Sequence, residues 1–159
     1  MKPMKKLRLP ALIILITALI SCEKDDGGFT QVKGIESLIY QMIKAYREDN
    51  GHTGPFVHQF IMVREAQVYS YKMANGVESL GTGGLTGHWS TIHEKIGGYN
   101  DQSIVLSSTS GNEDEIFTQI LQLPGAEEKF LDDLTQCGVG VEADTAGTNF
   151  ITILLMKVD

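Results

Sequence analysis

The first 22 residues decide how much of this chain is available to fold into a domain. Basic residues occupy positions 2, 5, 6 and 8, and an apolar run follows at positions 11–20. An apolar helix of this length is too short to cross a bilayer, which takes about 20 residues. Small Ser21 and then Cys22 end the segment. A basic start, a short apolar run and a small residue before a cleavage point predict a secretory signal, residues 1–21, that is removed.

The four residues Leu19-Ile20-Ser21-Cys22 resemble the lipobox of bacterial lipoproteins. The resemblance implies that Cys22 is lipidated and becomes the mature N-terminus, so that the membrane is a partner through an N-terminal lipid. A lipobox cysteine carries two or three acyl chains, and more than one chain gives stable anchoring without a membrane-spanning helix. The competing interpretation is an ordinary secretory signal followed by a chance cysteine.

Residues 22–31 are predicted to be an acidic, glycine-containing linker. Glu23-Lys24-Asp25-Asp26 is charged, and Gly27-Gly28 follows without any apolar periodicity. Acidic residues directly after a lipidated cysteine resemble the signal that sends some Gram-negative lipoproteins to the outer face, and a solvated tether is the alternative. We therefore expect a lipid-anchored outer-membrane protein, exposed at the surface if the export signal operates. Residues 32–159 are long enough for one domain with a hydrophobic core.

The acidic charge of the mature part excludes nucleic acid and anionic lipid as main partners. Removal of the leader takes four of the 13 basic residues and none of the 20 acidic ones. Nine basic and 20 acidic residues remain, a net charge of −11 with neutral histidines. Both of those partners require cationic side chains that neutralise their negative charge.

Cysteine content constrains how the domain is stabilised. Cys137 is the one cysteine left once Cys22 is lipidated, so an intrachain disulfide is impossible and the fold depends on packing. Cys137 begins an apolar stretch, Cys137-Gly138-Val139-Gly140-Val141, with no basic neighbour to lower its pKa. We expect a buried structural thiol rather than a nucleophile.

The periodicity of apolar residues predicts an α+β domain. Apolar residues recur every three or four positions in the first half of the domain and alternate in short runs near its end. The predicted helices are residues 32–50, 59–74, 112–122 and 127–134, and the predicted strands are residues 103–109, 139–142 and 149–158. Glycine-dense residues 76–87 are predicted to be a mobile loop. They do not resemble a phosphate-binding loop, because no strand precedes them and no Gly-Lys-Ser/Thr follows.

Several motifs follow one another in an order known from a single family. Ile43-Lys44-Ala45-Tyr46-Arg47 is similar to Ile-Asn-x-x-Arg, and residues 66–74 are similar to Ala-x-x-His-Ser-x-x-Met-Ala. Gly138-Val139-Gly140-Val141 and the last strand are similar to a closing β-hairpin. Over residues 35–158 these motifs resemble the CAP superfamily (cysteine-rich secretory proteins, antigen 5 and pathogenesis-related 1). The resemblance implies a three-layer α-β-α sandwich, and it implies that Arg47 forms a structural salt bridge.

The family resemblance also implies a pocket, which in most members carries two histidines and one or two carboxylates that can hold a divalent metal. His88 falls where bacterial members have the first histidine. The second histidine becomes Ala126, and the acidic position of the family's Gly-Glu-Asn-Ile turn becomes Gln102. Zinc usually takes three or four N, S or O ligands, so we expect no bound metal and no cofactor.

His88, Trp89 and Gln102 are therefore the predicted ligand-pocket residues. Trp89 would provide a stacking surface and His88 a hydrogen-bonding group. The alternative is that Trp89 fills a gap in the core and His88 is exposed. His52 and His58 flank the Gly54-Pro55 turn and are expected to be exposed there, and His93 is expected at the surface.

No catalytic residue is predicted, because the chain has no Gly-x-Ser-x-Gly elbow and Cys137 has no activating neighbour. The first functional hypothesis is a membrane-tethered, non-enzymatic module that binds a small ligand or a partner protein. The second is a metal-assisted hydrolase in which His88 and a carboxylate displaced by one or two positions activate water. Asp101, Glu127 and Glu128 are the candidates for that carboxylate. The third is a structural surface lipoprotein.

Overall fold

The structure is a computed structural model that describes residues 31–159. The predicted leader, Cys22 and all of the predicted linker except Gln31 lie outside the described residues. The described part contains the following elements in chain order: α1 (Gly34–Asp49), β1 (Val57–His58), α2 (Phe60–Ala74), α3 (Thr86–Ile96), β2 (Tyr99–Ser108), α4 (Glu113–Leu121), α5 (Ala126–Phe130), β3 (Gln136–Ala143) and β4 (Asn149–Lys157).

A four-stranded sheet with the order β1-β3-β4-β2 forms the middle layer. β1 is parallel to β3, whereas β4 is antiparallel to both β3 and β2. Helices α2 and α3 cover one face of the sheet, and α1, α4 and α5 cover the other. The predicted α+β class and the three-layer α-β-α sandwich are therefore confirmed.

The central strand β4 supplies apolar side chains to both faces of the sheet. Ile151, Ile153 and Leu155 point into the core beneath α1, α4 and α5. Leu154 and Met156 point into the core beneath α2 and α3. Successive side chains of a strand alternate between faces, so a continuous apolar run is what a strand covered on both sides requires.

Glycines in β3 allow α2 to lie directly on the sheet. A Cβ atom at Gly138 would overlap the backbone of Met62, and one at Gly140 would overlap the backbone of Ala66 and Gln67. Val139 and Val141 alternate with these glycines and fill the opposite core. The Gly-Val-Gly-Val pattern thus has a small face for a helix backbone and a large face for a hydrophobic core.

The half of β3 that β1 does not reach is completed by side chains from the start of α1. β1 pairs with Gln136 and Cys137 alone. Farther along β3, the N–H of Val141 donates to Oε1 of Glu36 at 3.0 Å, and its carbonyl accepts from Nζ of Lys33 at 2.7 Å. Glu36 is fully buried. Burial raises the pKa of its carboxyl group, while hydrogen bonds from the Lys33 and Val141 backbone act in the opposite direction.

Local sequence signals explain the elements that were predicted correctly. Asn112 caps α4 by accepting the N–H of Glu115 at 3.0 Å, as expected for a cap followed by acidic residues.

Two elements were not predicted. β1 has only two residues, and α3 begins at a Leu85 cap whose side chain makes no capping hydrogen bond. α3 starts at Thr86, so the connection that was predicted to reach position 87 ends two residues earlier.

β2 begins at Tyr99, four residues before the predicted strand start at position 103. Its first residues pair irregularly with β4, with a register shift between Tyr99 and Gln102. Asn100 has a positive φ of 58°, a conformation that asparagine tolerates better than most residues. The irregular start of β2 is rich in Asn and Asp and follows two glycines, so its sequence resembles that of a turn although it belongs to a strand.

Arg47 is a structural residue, but no salt bridge of the predicted kind joins it to an acidic residue within 31–159. Its guanidinium group donates to the backbone carbonyls of Phe130, Asp132 and Leu134. It also lies 4.4 Å from the centre of the Phe56 ring. A planar group with several donors suits a bend where carbonyls converge, and α5 and β3 are joined by such a bend.

Within residues 31–159, none of the helices combines the length and apolarity needed to cross a bilayer.

Replacing Gly140 with Ala should strongly destabilise the domain. Ala would by itself favour a strand over Gly, but here its methyl group displaces the α2 backbone, and overpacking of this kind costs about 3 kcal/mol. Urea unfolding of Gly140→Ala and wild type measures the difference. Gly54→Ala is the matched control, because a Cβ atom there meets no heavy atom within 4 Å. Equal stability of Gly140→Ala and wild type would contradict the close contact.

Candidate functional site

A row of three polar side chains joins α2 to α3; Glu65 and His88 are buried, and Lys72 is half-buried. Nδ1 of His88 lies 2.7 Å from Oε2 of Glu65, and Nε2 of the same ring lies 3.1 Å from Nζ of Lys72. The side chains of His88 and Glu65 are only 7% and 11% exposed. Glu65 and Lys72 lie seven residues apart on α2, a spacing that places both on the same helical face. His88 projects between them from the first turn of α3.

The two partners of His88, Lys72 and Glu65, determine which of its ring nitrogens carries the proton. An ammonium group can only donate hydrogen bonds, so Nε2 accepts from Lys72. Nδ1 must then be the protonated nitrogen, and it donates to the carboxylate of Glu65. Both nitrogens of the ring are therefore occupied by protein groups. A cation at Nε2 would have to displace an ammonium group of the same charge.

The row lies at a cavity of about 250 Å³. The lining residues are Glu65, Lys72, Gly84, Gly87, His88 and Thr91. Beneath it, Tyr69 packs edge-on against the His88 ring at 5.4 Å between centroids. The Tyr69 hydroxyl donates to the carbonyl of Gly81 at 2.7 Å and accepts the N–H of Gly84 at 3.2 Å. These bonds fasten the α2–α3 connection to the wall of the cavity.

Of the three predicted pocket residues, His88 alone lines the cavity just described. His88 is buried at the cavity just described, which differs from the exposed position weighed as an alternative. Trp89 is half-buried against the core beneath α2 and α3, with its ring 6.2 Å from that of His93. Gln102 donates from its side chain to Oδ1 of Asn100 at 3.0 Å, at the irregular start of β2.

A second cavity, of about 220 Å³, lies at the outer edge of β2. It contains Ala126, the position matched to the family's second histidine, and Ser103, next to Gln102. His88 does not line it. Lys129 crosses its wall and donates to the carbonyl of Ser103 at 2.9 Å. Of the positions matched to the family's pocket, His88 and Ala126 thus line different cavities, and Gln102 lines neither of these two.

The other histidines differ in their surroundings. His93 is at the surface as predicted and lies 2.7 Å from Oδ2 of Asp101. His58 is not the exposed turn residue that was expected. Its ring stacks on Tyr40 at 4.4 Å between centroids, and its Nε2 is buried without a partner among the described residues. Burial lowers the pKa of His58 to about 4.

Cys137 is fully buried, which confirms the prediction of a structural thiol. Burial raises the pKa of this thiol, and a protonated, inaccessible thiol is a poor nucleophile. In the part of the chain that the structure describes, no three His, Cys, Asp or Glu side chains come together as a metal site. The carboxylate beside His88 is that of Glu65, not one of the three that were considered from the sequence.

Sequence reasoning missed Glu65 and Lys72 because α3 was not predicted. Both are charged residues in a helix, and such residues usually face solvent. A signal existed in their spacing, since Glu65, Tyr69 and Lys72 follow one another at four and three residues along α2. The reason to treat that face as buried appears only when His88 is seen opposite it.

The comparisons with known proteins concern the fold. No protein-family model and no curated protein matches the chain. Among solved structures, an outer surface protein from Borrelia burgdorferi matches with a TM-score of 0.66 and 17% sequence identity. The match covers 81% of this chain and 96% of that protein. At this level of identity the similarity is one of fold alone.

The arrangement at His88 predicts a specific tautomer. Long-range proton–nitrogen NMR at pH 8 should show His88 protonated at Nδ1 and unprotonated at Nε2, because Lys72 must donate to Nε2. His52, which makes no contact with α2 or α3 side chains in this row, serves as an internal reference. A proton on Nε2 of His88 at this pH would show that the lysine does not occupy that nitrogen.

The buried ring of His58 predicts a loss of stability in acid. Between pH 6.5 and about 4 the unfolded chain binds a proton at His58 more readily than the folded chain does. The free energy of unfolding therefore decreases as the pH is lowered through this range. The full shift corresponds to about 3 kcal/mol, and screening at the partly exposed ring reduces the expected loss to about 2 kcal/mol.

Urea unfolding at pH 7 and pH 4.5 tests this for wild type, His58→Phe and the control His52→Gln. Phe retains the stacking on Tyr40 and removes the titrating group. His58→Phe should therefore lose less stability in acid than wild type, whereas His52→Gln should follow wild type. Parallel losses in all three proteins would be evidence against the buried state of His58.

Proposed function

We propose that this chain is a lipoprotein anchored in the outer membrane through acylated Cys22, with its domain exposed at the cell surface. Two observations support the proposal. The sequence around Cys22 resembles a lipobox and follows a leader with the features of a secretory signal. A solved protein that shares the fold is named as an outer surface protein. Acidic residues after Cys22 agree with export to the outer face and with a solvated tether alike.

We further infer that this chain is a divergent member of the CAP superfamily. The stretches that resemble the family lie in equivalent kinds of element, since Arg47 ends α1, residues 66–74 lie in α2, and Gly138 and Gly140 lie in the β3–β4 hairpin. The pocket has changed most, because Gln102 and Ala126 stand at positions that carry a carboxylate and a histidine in the family. Loss of ligands with retention of the scaffold favours binding over metal chemistry.

The proposed activity is non-enzymatic binding of a small ligand or of a segment of a partner protein in the His88 cavity. The observation that carries it is the closed row Glu65–His88–Lys72, in which every charged or titratable group already has a protein partner. The remaining ammonium protons of Lys72 and the hydroxyl oxygen of Thr91 offer hydrogen bonds to a ligand. A pre-formed cavity with a few fixed polar groups is the usual form of a small-molecule site.

A hydrolase remains the second candidate because of one distance. Glu65 lies 2.7 Å from Nδ1 of His88, the geometry in which a carboxylate orients a histidine that acts as a general base. Catalysis would require Lys72 to leave Nε2 so that a water molecule could donate to it. The metal-assisted form of this hypothesis is less well supported, because the Lys72 ammonium opposes a cation at Nε2. The third hypothesis, a purely structural lipoprotein, predicts that the cavity binds nothing.

Small-molecule binding should map to the His88 cavity. In NMR titrations of the mature chain with a library of small neutral and anionic compounds, the amides of Lys72, Gly84 and Thr91 should shift. His88→Ala should weaken that binding about tenfold, the effect of losing one well-placed partner, and the control His93→Ala should leave it unchanged.

Zinc provides the opposite test in the same samples. We expect no tight binding of zinc, since one imidazole held by an ammonium group lacks the required ligand set. Zinc binding at micromolar or lower concentration that His88→Ala abolishes would overturn the non-enzymatic proposal and favour a metal-assisted hydrolase. Compound binding that survives substitution of His88, Lys72 and Thr91 together would remove the cavity from the proposal.

The anchor is tested through Cys22. Full-length protein extracted from cells should partition into the detergent phase and carry acyl chains on Cys22 in its intact mass. The variant Cys22→Ala should carry no acyl chains in its intact mass, because the thiol that accepts them is absent. Acyl chains on the variant, or an unmodified Cys22 in the wild type, would contradict anchoring through this residue.

A further inference from the structure

The described chain enters the domain at the hairpin end of the sheet. The carbonyl of Gln31 accepts from Nε2 of Gln67 at 2.9 Å. Two residues later, Lys33 donates to the carbonyl of Val141 at 2.7 Å and pairs with Glu142. β3 ends at Ala143, directly before its turn into β4. Residues 31–33, where the described chain begins, are therefore held beside this turn.

The connection that follows α2 lies at the same end. Met62 contacts Gly138 and Ala66 contacts Gly140, so α2 and β3 run in the same direction. Eight residues from Ala66 to the end of α2 advance about 12 Å, and three residues from Gly140 to the end of β3 advance about 10 Å. The first residues after α2 are thus level with the β3–β4 turn, whereas Thr82 lies farther back, at a cavity that Ser103, Ile104 and Val105 of β2 also line.

This connection carries prominent exposed apolar side chains. Val77 is 69% exposed, more than any other large apolar side chain among residues 31–159, and Leu80 is 52% exposed. Val32, beside the chain entry, is 42% exposed. Val57 and Phe60 are also exposed, but they lie at the opposite end, where β1 pairs with the start of β3. Exposure alone does not distinguish the two ends.

The position of the tether distinguishes them. Eight residues separate Cys22 from Gln31, and the nine Cα–Cα steps between the two span at most about 30 Å. The opposite end lies about 17 Å behind Val141 along the five residues that lead back to Gln136. To present that end to the membrane, the tether would have to run back along the side of the domain. The end that carries Val77 and Leu80 is the end at which the described chain begins, so no such path is needed.

We propose that the connection at residues 77–80 rests on the lipid surface as a second contact beside the acyl chains, an inference that depends on the anchor proposed above. Two aliphatic side chains bind a bilayer weakly on their own. The anchor makes their contact intramolecular, so a weak contact is sufficient to orient the domain. Glu78 between them and the net charge of −11 favour a zwitterionic surface over an anionic one.

An orientation of this kind has a consequence for the His88 cavity. Gly84 lies in the same α2–α3 connection, and Lys72 lies near the end of α2. The cavity therefore extends from Glu65, next to the Ala66–Gly140 contact at the middle of β3, towards the end of α2 that faces the membrane. A ligand would reach it near the lipid surface rather than from the distal side of the domain.

Site-specific fluorescence on the full-length, lipidated protein tests the contact. The protein is reconstituted in phosphatidylcholine vesicles with an environment-sensitive thiol dye at Val77→Cys, and at Val57→Cys as the matched control from the other end. Cys137 is buried and Cys22 carries lipid on its sulfur, so the introduced thiol is the reactive one. A lipid-borne quencher should reduce the emission at position 77 about twofold more strongly than at position 57.

Equal quenching at the two positions, or stronger quenching at position 57, would overturn the proposed orientation. The intact mass of the same sample separates this result from failure of the anchor. Acylated Cys22 together with equal quenching refutes the membrane contact and leaves the lipoprotein intact. An unmodified Cys22 refutes the anchor, and the orientation falls with it.

Discussion

The close contact between α2 and β3 is the constraint on which the other features of this domain depend. Gly138 and Gly140 remove the side chains that would hold the helix away from the sheet, so the backbones of Met62 and Ala66 lie directly against the strand. The contact fixes the direction of α2 relative to the hairpin. It also turns the remaining face of α2 outwards, towards α3 rather than towards the sheet.

That outward face holds the charged half of the candidate site. Glu65 and Lys72 lie on this face at a spacing that matches the two nitrogens of one imidazole. His88 from α3 hydrogen-bonds to both side chains, through Nδ1 to Glu65 and through Nε2 to Lys72. Burying an unpaired carboxylate or ammonium group would be costly, whereas a closed row of donors and acceptors reduces that cost. The same completeness argues for recognition rather than catalysis, because no nitrogen of the histidine is left for a proton or a metal.

Sequence reasoning was successful where the signals are local. The apolar stripes of α1 and α2, the Asn112 cap and the alternating hairpin strands each depend on residues within one element. The site depends on contacts between elements, and α3 was absent from the prediction because Leu85 provides no cap. His88 was chosen through a family resemblance, while its partner Glu65 could be recognised only from the packing of α3 on α2. Trp89 and Gln102 follow from that resemblance too, and the structure places them outside the His88 cavity.

The contact between α2 and β3 can be observed directly by nuclear Overhauser effects in a glycine-labelled sample of the mature chain. If α2 lies on β3 as described, the α-protons of Gly138 should show strong effects to Met62, and those of Gly140 to Ala66 and Gln67. Protons closer than about 5 Å give such effects, and a helix backbone in contact with a glycine brings them well within that distance. Effects from both glycines only to side chains of other residues, with none to α2, would contradict the account.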